Sequence, residues 1–124
     1  WPVCEAPYMI LHKGTYYLTY SGSHFETDYG SGYAVGDSPL GPFRKYQGNP
    51  VLRSGKKIHG VAHHCITRSP DGKELFILYH CHCDEARANP RRLCVDRLRF
   101  VPGADGVDVI KVDGPTEEAQ EYFW

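Results

Sequence analysis

Apolar and polar positions alternate along most of the chain, and the alternation has the period of strands, not helices. Residues 6–12 (APYMILH) lead into Lys13-Gly14, a turn signal, and 15–21 (TYYLTYS) follow with aromatic and β-branched side chains. Residues 32–36 (GYAVG) read as a short strand before the breaker-rich Ser38-Pro39-Leu40-Gly41-Pro42. Residues 43–46 read as a weak edge strand, and Asn49-Pro50 turns the chain. The same order then returns. Residues 62–68 (AHHCITR) end in Ser69-Pro70-Asp71-Gly72, whose Pro and Gly preset turn geometry. Residues 74–83 (ELFILYHCHC) form the most apolar strand, followed by 92–100 (RLCVDRLRF) and 107–112 (VDVIKV) before Gly114-Pro115. Only the tail 116–122 (TEEAQEY) is compatible with a helix.

APYMILHKGTYYLTY and HHCITRSPDGKELFILY share one pattern: strand, glycine turn, longer aromatic-aliphatic strand ending at Tyr20 or Tyr79. The spacing is about 58 residues, in the range of propellers and solenoids, and each unit holds about four short strands, the content of one propeller blade. The expected fold is all-β: about two four-stranded antiparallel blades, one over residues 1–55 and the next over 56–124 with the C-terminal tail. The competing architecture is a freestanding sandwich of about eight strands. Two blades cannot close a ring, so the chain, which begins at Trp1, is expected to be an excised part of a longer protein whose preceding blades are missing here. Open flanks would favour self-association.

Composition narrows the class. With 124 residues, 14 Lys+Arg and 15 Asp+Glu, the net charge is -1, without the basic excess of a nucleic-acid binder. No apolar run reaches the ~18 residues of a membrane-spanning helix. Nine Tyr, 13 Gly and nine Pro fit aromatic strands punctuated by turns. The five cysteines (Cys4, Cys65, Cys81, Cys83, Cys94) are odd in number and lack the spacing of a disulfide framework. They read as buried reduced thiols, which favours a reducing, cytoplasmic compartment.

Glu5 lies between Cys4 and Ala6-Pro7-Tyr8 at the start of an apolar strand. Partial desolvation there would favour the protonated carboxyl and suit a general acid; a strand-end carboxylate in water is the alternative. His63-His64-Cys65 and His80-Cys81-His82-Cys83 form a His/Cys cluster. Strand alternation would put His80 and His82 on one face, and with His63 they could supply three ligands to zinc; a polar, pore-facing role is the alternative. Arg91 or Arg92 could grip a hydroxyl pair or a carboxylate, or be a surface charge. Tyr8, Tyr16, Tyr17, Tyr20, Tyr29 and Tyr33 offer flat rings for sugar stacking or for packing. Nucleotide-binding, nucleophile-elbow and zinc-protease motifs are absent.

The ordered set CEAPYMI, GTYYLTYSGS, GYAVGDSPLGPF, NPVL, HGVAHHCITRSPDGKELFILYHCH, RRLCVDRLRF and GPT resembles glycoside hydrolase family 43, the five-bladed-propeller family of arabinanases, arabinofuranosidases and β-xylosidases. The resemblance covers nearly the whole chain and implies a carbohydrate substrate, with arabinose- and xylose-containing plant polysaccharides or oligosaccharides as the substrate class. It implies hydrolysis with inversion, using an Asp base, a second Asp that orients the acid, and a Glu acid before a Gly/Ala-Pro pair, here Glu5. It implies sugar binding by Arg91, with Arg92 one residue off; Tyr33 is the accompanying substrate-binding candidate. It implies no required cofactor, with a structural Ca2+ or other metal ion on the propeller axis near His63. Neither family Asp has a counterpart here; Asp28 and Asp37 sit in or beside turns, and Ala62 stands where the family most often has Gly. The isolated chain is therefore expected to be inactive. A non-catalytic sugar-binding propeller is the alternative reading.

Overall fold

The computed structural model describes residues 2–119. It contains eight strands: β1 (Val3–His12), β2 (Thr15–Ser23), β3 (Gly30–Gly36), β4 (Arg44–Lys45), β5 (Ala62–Arg68), β6 (Leu75–Cys81), β7 (Arg92–Val101) and β8 (Val109–Val112). They form two four-stranded antiparallel sheets with neighbour orders β1-β2-β3-β4 and β5-β6-β7-β8, the meander of a propeller blade in each case.

Local chemistry explains the strand ends. Lys13 (φ 47°) and Gly14 (φ 81°) both lie in the left-handed region, so the β1–β2 hairpin closes in two residues, with His12 opposite Thr15. The β5–β6 hairpin uses the longer Ser69–Gly72 turn, where the Gly72 amide donates to Ser69 O over 2.9 Å. The β6 strand stops at Cys81, two residues short of the expected end, because the His82 amide leaves the ladder and donates to His59 O over 2.8 Å. Gly60 accommodates that departure: its φ is +60°, and a Cβ there would lie 2.0 Å from the His82 ring.

The tail segment compatible with a helix is not helical over 116–119, and its remaining residues 120–122 lie outside the described residues. Thr116 is bound to a strand instead: its amide donates to Asp96 Oδ2 over 3.2 Å and its hydroxyl to Asp96 Oδ1. Tyr79 also donates to Asp96, over 2.5 Å, so this buried carboxylate is satisfied from two directions.

The core lies between the two sheets. Tyr17, Tyr33 and Val35 from the first sheet meet Ile66, Ile77, Tyr79, Leu98, Ile110 and Val112 from the second, with Leu52 and Val61 supplied by the connection. Each such burial contributes about 1.5–3 kcal/mol. Alternation leaves the other faces outward: Met9 and Leu11 are exposed on the first sheet and Leu93 on the second. Cys4 and Cys65 also fall on these outer faces and are exposed; only Cys81 is buried. The expectation of five buried thiols is corrected accordingly.

Near one end, the sheets are joined by polar groups. Tyr8 donates to Ile66 O over 2.8 Å, and the His63 amide donates to Ser21 Oγ over 2.7 Å. The buried His64 ring sits among Thr19, Ser31 and Ser21. The Thr19 hydroxyl already donates to Tyr8 O, so the His64 Nε2–H donates to Thr19 over 2.7 Å and Nδ1 accepts from Ser31 over 3.2 Å. Burial, with the nearby His63, lowers the His64 pKa to about 4, so the ring is neutral at pH 7.

Candidate active site

The first strand of each sheet is bulged. Pairing shifts register between Glu5 and Tyr8 in β1, and between Ala62 and Cys65 in β5. A non-glycine residue in the left-handed region makes each kink: Ala6 at φ 51° and His63 at φ 57°. Bulges re-aim side chains. Here Glu5 and His63 come within reach of each other, His63 Nδ1 lying 3.8 Å from Glu5 Oε1. Both side chains are about half exposed, so this pair contributes little stability by itself.

Three further side chains complete the cluster. Tyr29, immediately before β3, is buried except for its reach to the site, where its hydroxyl donates to Glu5 Oε1. Burial, reinforced by the hydrogen bond to Glu5, raises the Tyr29 pKa, so the phenol keeps its proton. His80 of β6 pairs with Ala62 and lies beside both neighbours, its ring 5.7 Å from His63 and 5.9 Å from Tyr29. Arg91, just before β7, places Nη1 3.1 and 3.3 Å from the two ring nitrogens of His80. Arginine can only donate, so the facing nitrogen of His80 accepts and the ring is neutral. Burial, then the Arg91 charge, lowers the His80 pKa in the same sense.

The Arg91 Nε is buried and has no hydrogen-bond partner among the described residues. An orphaned buried donor costs about 1–3 kcal/mol. Its neighbour is engaged elsewhere: Arg92 Nε donates to His82 O over 3.1 Å.

The sequence-derived candidates therefore separate. Glu5, His63 and Arg91 fall in one cluster. Tyr33 does not. It is 1% exposed, stacks on Tyr46 at 4.8 Å, packs against Tyr17 at 5.6 Å, and its hydroxyl accepts from the Ile110 amide. Pairing with Thr19 directs it toward the second sheet, so neither ring face is free for a sugar. Burial pushes its pKa up to about 12.

The zinc trio is not assembled either. His82 lies beyond the end of β6, so alternation no longer places it beside His80, and its Nε2 bonds Phe25 O at 2.8 Å. Among the described residues no group of three His, Cys, Asp or Glu could hold a metal ion, as the zinc trio would require. Asp28 is likewise occupied within its loop, where bonds from Ser23 and the His24 amide lower its pKa to about 2.

Sequence reasoning missed two roles. Tyr29 was one of several tyrosines with no distinguishing neighbour, and its contact with Glu5 spans 24 positions. His80 stood out as a zinc ligand or a polar, pore-facing residue, without its link to Arg91. A bulge at each inner strand would have signalled both, but Ala6 and His63 are not residues that announce a left-handed backbone.

Comparison with known proteins places this arrangement. The profile of glycosyl hydrolases family 43 matches residues 1–106. A thermostable family-43 glycoside hydrolase of known structure is 43% identical, with a TM-score of 0.87 over 98% of this chain and 38% of that one. An endo-1,4-beta-xylanase from Bacteroides thetaiotaomicron is 33% identical, with a TM-score of 0.78 over 90% of this chain and 38% of that one. The beta-D-galactofuranosidase xynD of Aspergillus niger is 31% identical over 77% of this chain and 28% of its own length. The chain thus spans well under half of each relative, and it belongs to glycosyl hydrolases family 43.

Proposed function

We propose that the full-length protein containing this chain hydrolyses O-glycosidic bonds of arabinose- or xylose-containing polysaccharides or oligosaccharides with inversion, and that Glu5 is the general acid. The observation that carries this reading is the convergence of Glu5 and His63, at the kinks of β1 and β5, with Arg91 just before β7, in a chain of this family. The xylanase and galactofuranosidase among its relatives support a pentose or furanose substrate.

In this mechanism protonated Glu5 donates its proton to the leaving oxygen as the glycosidic C–O bond breaks. A carboxylate across the sugar, roughly 6.5–9.5 Å away, takes a proton from the water that attacks the anomeric carbon. The base is assigned to the rest of the protein, because neither Asp that the family resemblance implies has a counterpart in this chain. Arg91 offers its guanidinium to a sugar hydroxyl, and His80 holds that group in place. His63 borders the acid at the kink of β5.

The test is Glu5→Gln in the full-length protein, assayed on activated aryl xylosides, arabinofuranosides and galactofuranosides and on the matching oligosaccharides. Losing the acid should lower kcat on the oligosaccharide by about 10²–10⁴-fold and spare the activated aryl substrate. Unchanged turnover on the oligosaccharide removes Glu5 from this role. Proton NMR of the first-formed anomer checks inversion. The purified 124-residue chain should show no turnover; measurable hydrolysis would mean the base lies within it.

A further inference from the structure

Among the described residues, the two polar groups that reach the Glu5 carboxyl, the Tyr29 hydroxyl and His63 Nδ1, meet the same oxygen, Oε1. Among the described residues Oε2 has no hydrogen bond or ion pair. We propose that Tyr29 is a positioning residue that ties Oε1 of Glu5 and leaves Oε2 as the oxygen that carries and delivers the proton. This rests on the reading of Glu5 as the general acid.

The chemistry follows from what each oxygen can do. A carboxylic acid has one carbonyl oxygen and one hydroxyl oxygen. A phenol that donates to Oε1 favours carbonyl character there, so the proton resides on Oε2. On reaction, the Oε2–H bond breaks and the proton goes to the leaving oxygen, which also keeps the electron pair of the cleaved C–O bond. Water supplies the new C–O bond and loses its proton to the base carboxylate elsewhere in the protein. Glu5 ends as a carboxylate whose Oε1 still accepts from Tyr29.

Tyr29 is built for this task. Its ring is 1% exposed, so only rotation about the C–O bond of the phenol remains free, whereas Glu5 is half exposed on a flexible side chain. Ser21, which pairs with Glu5 across β1 and β2, accepts the His63 amide over 2.7 Å. The acid on β1 is thereby coupled to the kink of β5. A hydrogen bond lost from the acid's positioning affects the step that needs the acid, in proportion to how poor the leaving group is.

Tyr29→Phe in the full-length protein keeps the ring and removes the tether. On the oligosaccharide, kcat should fall roughly 10- to 100-fold with KM within about twofold, and on a 2,4-dinitrophenyl glycoside the loss should stay below about threefold. Equal losses on both substrates, or none, overturn the proposal, since a structural role would not distinguish leaving groups. Glu5→Gln in parallel separates the two readings. If Glu5→Gln spares the oligosaccharide, the acid assignment fails. If Glu5→Gln has the leaving-group signature and Tyr29→Phe lacks it, only the tether fails. Should Tyr29→Phe not fold, 3-fluorotyrosine placed at position 29 keeps the shape and makes a stronger donor. It should then change kcat on the oligosaccharide relative to the dinitrophenyl glycoside, and an unchanged ratio overturns the proposal.

Discussion

The inner strands β1 and β5 carry one backbone device and two different chemistries. Glu5 opposite Ser21 and Ala62 opposite His80 occupy equivalent places just before a kink. Ala6 and His63 then adopt the same left-handed conformation. On β1 the residue before the kink is a half-exposed carboxylate; on β5 it is an alanine with no exposure, and the titratable group sits at the kink itself. After the kink, Pro7 is exposed while His64 is buried between the sheets. The kink belongs to the fold, and the function depends on which side chain occupies each place around it.

Exchanging the chemistry between equivalent places should therefore give opposite results. Ala62→Glu in the full-length protein would bury a carboxyl with no built partner and destabilise by about 3–5 kcal/mol. Glu5→Ala removes a half-exposed group but takes the acceptor from the buried Tyr29 hydroxyl, and should cost only about 1–2 kcal/mol while removing the proposed acid. Denaturant unfolding of the two variants checks this, and similar losses at both places would erase the distinction.

The second contrast is between Pro7, which cannot titrate, and His64, which can. Above about pH 6.5 the His64 ring is neutral in both folded and unfolded protein and adds no pH dependence. Between about pH 6.5 and 4 the unfolded chain takes up a proton that the folded chain refuses, because the folded pKa is lowered to about 4. Stability should therefore fall as pH drops through this window, by about 3 kcal/mol, and level off below it. Thr19, Ser21 and Ser31, which face the ring from the first sheet, carry no charge; His63 is the titratable neighbour. Unfolding free energies measured across pH 4–7 in wild type and His64→Gln check this: the slope should flatten in the variant, and a slope that persists assigns the effect to another group.

Much of the fold was legible because it depends on local pattern. Alternation and glycine turns located all eight strands within a few residues, and β5 over its full range. The misses occur where a distant contact overrides that pattern. His82 follows the apolar run of β6 but is drawn away by His59 and Phe25. The Tyr33 ring would suit a sugar had its strand not turned it toward Tyr46 and Ile110. Within the site, Glu5, His63 and Arg91 stood out as residues with alternatives open and took their roles from the family resemblance, whereas the Tyr29 tether depends on a loop return that no local signal encodes.

The smallest expected effect tests the kink itself. A non-glycine residue in the left-handed region costs about 1–2 kcal/mol, and glycine removes that cost while adding about 0.5–1 kcal/mol of unfolded-chain entropy. Ala6→Gly and His63→Gly should each therefore leave stability equal or raise it by up to about 1 kcal/mol, read from the midpoint of denaturant unfolding. The two variants should part company in turnover. Ala6 offers no functional group, so Ala6→Gly should keep kcat close to wild type, with any loss arising from a looser Glu5. His63→Gly deletes the imidazole 3.8 Å from the acid and should lower kcat even as the backbone relaxes. Matching stabilities with diverging turnover would separate the backbone device from the chemistry it carries. If both variants lost more than about 1 kcal/mol, the equivalence of the two kinks would fail, since neither substitution removes a buried side chain.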